Sequence, residues 1–216
     1  MTRMWLRTLL MVALVLAAAG AAVFATTRGL RTVSADGARR LDLARVPRAL
    51  PALALVDQAG ARHAFGGGTP SGAEALADRA PVTLVSFVYT QCTAICRTSA
   101  SGQAWLQQQL RERGLQDRVR LLTLSFDPAR DTPAALRAYA RTLRADHAMW
   151  TFATVAEPAR LRSLLDAFGI VVLPDGLGGY SHNAALFLLD GKGRLAAAYD
   201  VARPDLALAD LLRGGT

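Results

Sequence analysis

Pro81-Val82-Thr83-Leu84-Val85-Ser86-Phe87-Val88-Tyr89-Thr90-Gln91-Cys92-Thr93-Ala94-Ile95-Cys96 holds both cysteines of the 216-residue chain. Val82 to Tyr89 is short, β-branched and aromatic, bounded by Pro81 and by polar Thr90-Gln91, which predicts a buried central strand. Cys92 then falls just past a strand end. From Ile95 the apolar residues change spacing, with Trp105, Leu106 and Leu110 among Ser, Gln and Arg, so a helix is expected from near the second cysteine to Gly114. Cys96 in its first turn shares a face with Cys92, and the spacing allows either a disulfide or two thiolates on one ion.

Two cysteines are too few for the disulfide framework of a small secreted domain, so one close pair reads as metal-binding or redox-active. A purely structural bridge would close so short a loop that it stabilises only weakly. The formal net charge of +8 comes from basic residues that are nearly all arginine, scattered and not interleaved with aromatics. That pattern points away from nucleic acid and toward a solvated surface. At this length one domain with a full core plus an N-terminal appendage is expected.

The appendage is 1–27. Arg3 and Arg7 flank Trp5, and Thr8 to Ala25 carries no charge, a length that suits a membrane anchor. The basic start, apolar middle and Val23-Phe24-Ala25 equally resemble a cleavable signal peptide. The expected location is the inner membrane, with a single N-terminal span and the domain facing the periplasm; the alternative is a soluble exported domain after cleavage. Residues 28–51 mix Gly, Pro, Arg and Ala without period and read as a linker, leaving the domain at 52–213.

Within the domain, Leu53 to Val56 and Arg62 to Phe65 read as a hairpin, followed by a loop from Gly66 to Gly72. Val119 to Phe126 reads as a strand, and Thr132 caps a helix that has Pro133 in its first turn and runs to about Leu143. Trp150 to Val155 is a further strand, Glu157 to Phe168 a helix stopped by Gly169, and Gly176 to Ser181 a Gly-rich loop ending at His182. Ala184 to Leu189 and Arg194 to Tyr199 form a second hairpin, and Pro204 to Leu212 a closing helix. Strands alternating with helices imply an α/β, thioredoxin-like fold: a mixed central sheet with flanking helices and β-hairpin insertions.

In such a sheet chemistry gathers at the carboxyl ends of strands, where Cys92, Cys96 and His182 can meet. Two soft thiolates and one imidazole suit Cu(I), and with an added oxygen donor Cu(II); zinc usually takes a fourth protein ligand. His63 and His147 have no comparable placement and read as surface or packing residues.

Phe87 to Cys96, Ser125 to Pro133, and Ser181-His182-Asn183 with Leu188 to Gly193 resemble, in order and spacing, the Sco/SenC family of copper-binding proteins for cytochrome c oxidase assembly. The resemblance covers about Leu53 to Leu212. It implies a thioredoxin-like fold, a membrane-tethered domain, and a copper ion on Cys92, Cys96 and His182. The family usually has proline after the second cysteine and aspartate before the histidine, where this chain has Arg97 and Ser181. Arg97 at a helix start is expected to favour the Cys96 thiolate, and Ser181 to remove a hydrogen-bond partner of His182. Asp127-Pro128 and Arg130-Asp131-Thr132 read as turn and helix-cap chemistry.

Two functions follow. A metallochaperone takes copper from an upstream periplasmic donor and passes it to the copper-bearing subunit of cytochrome c oxidase. A thiol-disulfide oxidoreductase instead uses Cys92 and Cys96 as a redox-active pair that keeps the oxidase's cysteines reduced. A peroxide-reducing role rests on Thr90, which lies two places before Cys92 where peroxidases of this fold usually space it three.

Overall fold

The computed structural model describes residues 2–26, 43, 46–67, 81–92 and 95–214. The chain forms two compact units, Met1–Asp42 and Leu43–Thr216. In the first, Thr2–Thr26 is a helix (α1) whose Arg7–Thr26 stretch is long and apolar enough to cross a membrane, a property shared by anchors and signal sequences. Residues 28–42, 44 and 45 of the expected linker lie outside the described residues. Its end does not run free. Leu43 and Leu50 are buried, and Arg48 bonds to Leu195 through N–H and C=O at 2.9 and 2.8 Å. The linker reading therefore stops short of residue 51, because two leucines gain more from the core than from water.

The second unit opens with the expected hairpin, Leu53–Asp57 (β1) and Arg62–Phe65 (β2). Residues 68–72 of the expected loop are outside the described residues. Then follow Val82–Val88 (β3), Ile95–Glu112 (α2), Val119–Ser125 (β4), Pro133–Thr142 (α3) and Trp150–Val155 (β5). Leu161–Phe168 (α4) is shorter than the expected helix from Glu157, because Pro158–Arg160 winds as a 3-10 turn ahead of it. Gly169 ends α4 at φ 64°, the left-handed conformation that only glycine adopts without strain. Next come Val172–Pro174 (β6), Tyr180–His182 (β7), Leu186–Leu189 (β8), Leu195–Tyr199 (β9) and Pro204–Leu212 (α5).

Seven strands form one sheet in the order β2-β1-β5-β4-β3-β8-β9. β3, β4 and β5 run parallel at its centre, and β1, β8 and β9 join antiparallel, giving the mixed thioredoxin-like sheet. The central strands are apolar on both faces because both are covered. Val85, Phe87, Leu122 and Leu124 pack with Phe168 and Phe187 on one face. Leu84, Leu121, Trp150 and Phe152 pack with Leu106, Leu110 and Leu136 on the other.

That second face also carries a buried polar lock. Gln103 of α2 accepts from Ser86 Oγ and Thr123 Oγ1, both at 2.6 Å, and donates to Leu122 O at 3.2 Å. Trp150 Nε1 donates to the same Thr123 hydroxyl at 2.9 Å. With its carboxamide satisfied, Gln103 fixes α2 against β3 and β4 rather than merely near them.

Asp57 closes the first hairpin. Its Oδ1 accepts from the Ala59 and Ala61 amides at 2.8 and 2.9 Å, and Oδ2 pairs with His63 Nε2 at 2.7 Å. Burial opposes the carboxylate's charge, but the bonds from His63, Ala61 and Ala59 outweigh it and hold its pKa below the ordinary value. A depressed folded-state pKa gives stability above the unfolded value of about 3.9, lost as pH falls through the folded one. His63 is half exposed, so its share is screened. Asp57→Asn should lower the unfolding free energy by about 1–2 kcal/mol at neutral pH. The difference should close on acidification below about pH 4. Urea melts of the full chain in detergent, across that pH range, would reject this account if the difference stayed constant.

Candidate metal centre

Both cysteines sit where the carboxyl end of β3 turns into α2. Cys92 N–H bonds to Tyr89 O at 3.1 Å, closing a turn that leaves the Cys92 side chain half-buried. Cys96 lies in the first turn of α2 with no exposed surface. Residues 93 and 94 between them are outside the described residues. The turn is held from a distance by Asp131, which is buried. Its Oδ2 accepts from Thr90 N at 3.0 Å and Ser125 Oγ at 2.5 Å, and its Oδ1 from Thr90 Oγ1 at 2.5 Å.

His182 arrives on a strand, not directly after a loop as the sequence suggests. β6 and β7 form a two-stranded hairpin in which Val172 pairs with His182. The sequence hid it because its strands are three residues long and largely exposed, with no apolar alternation to read. Asn183 pins its base, accepting from Val171 N at 2.7 Å and donating to Gly169 O at 3.0 Å. Gly179 lets the Tyr89 and Asp175 side chains close in near its tip: a Cβ there would lie 2.9 Å from Tyr89 Oη and 2.6 Å from Asp175 Oδ2, so both would have to shift.

The structure brings Cys92, Cys96 and His182 together, their donor atoms all within 4.8 Å of one another. His182 Nε2 is 3.3 Å from Cys96 Sγ. His182 Nδ1 lies 2.9 Å from Asn183 O, and since a carbonyl only accepts, Nδ1 carries the proton and Nε2 keeps its lone pair. Burial lowers the His182 pKa against the opposing Asn183 bond, which favours the neutral ring. Phe126 packs edge-on against that ring at 4.8 Å and meets Tyr89 and Tyr180 at 5.4 and 5.7 Å, an aromatic wall behind the site. Donors gathered this closely need shift only by tenths of an ångström to close on a first-row ion, whose bonds run about 2.0–2.3 Å. Two sulfurs and one imidazole are a soft set suited to copper.

Several expectations are corrected. Burial, and then the neighbouring Cys92 sulfur, push the Cys96 thiol up rather than down, while Arg97 is exposed on the same turn. Ser181 is exposed and alternates with His182 along β7, so the missing acid does not cost His182 its Nδ1 partner, which is backbone. Thr90 donates its hydroxyl to Asp131 and clamps the turn, so that hydrogen is directed away from Cys92. Thr132 caps α3 as expected, its Oγ1 accepting from Ala135 N at 3.3 Å. His63 pairs with Asp57, and His147 Nδ1 is 3.3 Å from Gln58 Nε2, both apart from the cysteines. A cavity of about 360 Å³ lined by Pro81, Val119 and Asp190 lies at the amino ends of β3 and β4 and takes no part in the site.

The family model for SCO1/SenC matches residues 68–214, more than half of the chain. The chain belongs to the SCO1/SenC family. The SCO1 protein homolog of Bacillus subtilis (strain 168) is 26% identical over 121 residues, which are 55% of this chain and 62% of that protein. The match thus spans less than two thirds of that SCO1 relative's length. Bradyrhizobium japonicum ScoI with copper bound is 25% identical with a TM-score of 0.58, over 76% of this chain and 98% of that one. BsSco, a Sco-family cytochrome c oxidase assembly protein with a disulfide switch, shares the fold at 21% identity and a TM-score of 0.62, over 78% and 94%. Family membership and the Cys-Cys-His group together fit copper binding. Asp131, Gln103 and Asn183 are the supports that sequence reasoning on this SCO1/SenC chain missed; Asp131 and Asn183 fell inside motifs that drew notice, and Gln103 did not.

Proposed function

We propose that this protein takes up copper through Cys92 Sγ, Cys96 Sγ and His182 Nε2 and passes it to the copper-bearing subunit of cytochrome c oxidase during assembly. One observation carries the reading: three copper-type donors converge within 4.8 Å, with the unprotonated imidazole Nε2 turned toward Cys96 Sγ by the Asn183 bond. Copper bound in the ScoI relative and the oxidase-assembly role named for BsSco support it. Cys92, the half-buried donor, is the one an incoming or departing partner reaches first. Copper is the cargo, so exchange of ligands suffices and each bound thiol yields its proton to solvent. The apolar helix α1 tethers the domain to the inner membrane, facing the periplasm, where an upstream donor supplies the ion.

The contrast between the two sulfurs favours a second reading, thiol-disulfide exchange. Cys92 thiolate attacks a target disulfide and releases one target thiol. Cys96 then attacks Cys92 Sγ, forms the internal disulfide and releases the other.

Anaerobic titration of the reduced full chain against a Cu(I) competitor, for the parent and His182→Ala, separates the two. One copper per parent chain, weakened at least about tenfold in His182→Ala with disulfide exchange intact, is the expected result. A parent that cannot compete for copper yet cycles a Cys92–Cys96 disulfide transfers the function to the second reading.

A further inference from the structure

The two halves of the site lie on separate pieces of chain, the cysteine turn after β3 and the His182 hairpin, and Arg130 touches both. Arg130 Nη1 donates to Gly178 O of the hairpin at 2.6 Å and to Gln91 Oε1 of the cysteine turn at 3.3 Å. Nε donates to Asp127, which aims the fork from the β4–α3 turn. The guanidinium also lies over the Tyr180 ring at 5.2 Å and the Tyr89 ring at 5.9 Å, inside cation–π range of a residue from each half. Tyr89 Oη adds a parallel link by accepting from Tyr180 N at 3.2 Å. Among the described residues β6 and β7 pair only with each other, so the ladder of the main sheet does not fix the hairpin. Its position rests on Asn183 at the base, on Phe126 against the His182 and Tyr180 rings, and on these contacts near the tip.

We propose that Arg130 is a positioning residue that holds the His182 hairpin against the cysteine turn. A planar, permanently charged fork is the side chain that meets an acid, two amide-type oxygens and two ring faces at once, which an ammonium does not. Where the site holds copper as proposed above, Arg130 then sets the affinity through His182 alone, without touching the ion.

The test uses the full chain in detergent. Metal-free Arg130→Ala should exchange its amide hydrogens faster than the parent across 171–182, Tyr180 foremost, with β3 and β4 unchanged. Its Cu(I) affinity should fall by about tenfold. In a His182→Ala background the same replacement should change affinity less than twofold, because there is no imidazole left to position. Arg130 is one-third exposed and belongs to neither hydrophobic cluster of the core. Should Arg130→Ala fail to fold, Tyr89→Phe removes only the Tyr180 N–H acceptor and should give the same pattern at smaller amplitude. Unchanged hairpin exchange, or equal copper loss in both backgrounds, overturns the positioning role. A parent that binds no copper defeats the functional reading instead, and hairpin exchange still decides this one.

Discussion

Cys96→Ala is expected to cost more than about 100-fold in Cu(I) affinity, the upper end of what residues acting indirectly on a metal site remove. Cys96 offers its sulfur at the bottom of the cluster, fully buried and 3.3 Å from His182 Nε2. Without it, half-buried Cys92 and a histidine on a separate hairpin face each other across a gap. Alanine keeps the helix and deletes one sulfur from a tight site, so the fold should lose less than about 2 kcal/mol. A urea melt run beside the copper competition separates ligand loss from unfolding. Cys92→Ala should lose copper to a similar degree while behaving differently toward alkylation. In the reduced, metal-free parent, iodoacetamide should label Cys92 well before Cys96, whose thiol burial keeps both hidden and protonated. Near-parental copper affinity in Cys96→Ala would remove Cys96 from the ligand set.

Asp131→Ala should destabilise the chain by about 3–4 kcal/mol, the range reserved for breaking a buried hydrogen-bonded group. The carboxylate accepts from one backbone N–H and two hydroxyls, and the side chain that replaces it accepts from none. The hydroxyls can rotate toward other acceptors, but the Thr90 amide is fixed in the turn. Because Thr90 stands two residues before Cys92, the same loss loosens the cysteine turn, and copper affinity should drop by about 10–100-fold. Asp131→Asn should fall between, since one side of its amide presents N–H groups to donors. Denaturant unfolding with an unchanged slope, paired with the copper competition, checks both parts. A stability change below about 1 kcal/mol would show that the clamp contributes little.

What short-range pattern determines was legible. β3, the turn to α2, Thr132 with Pro133 at the start of α3 and Gly169 at the end of α4 all follow from steric and hydrogen-bonding preferences within a few residues. The two cysteines share one strand-to-helix turn for the same reason, and the sheet-edge reading offered His182 as their partner, which the Sco/SenC resemblance then supported by motif. Most contacts between residues far apart in the chain were not legible. Thr90 and Asp131, 41 positions apart, gave no signal of their pairing; Cys96 and His182, 86 apart, could be placed on one sheet edge but not at a distance. No local periodicity encodes that β6 and β7 pair, that Arg130 spans two segments, or that Gln103 meets Ser86 and Thr123 across the helix–sheet interface. Arg97 gives the reason most plainly. Read as a neighbour in sequence, it lowers the Cys96 pKa; in the folded chain, desolvation by the surrounding core acts on Cys96 from every side and decides the opposite sign. The sequence by itself determined most of the elements, the β6–β7 hairpin apart, and which atoms are offered as donors. Only tertiary packing decided their separation, their protonation and what holds them, because burial and long-range hydrogen bonds exist only once the chain has closed.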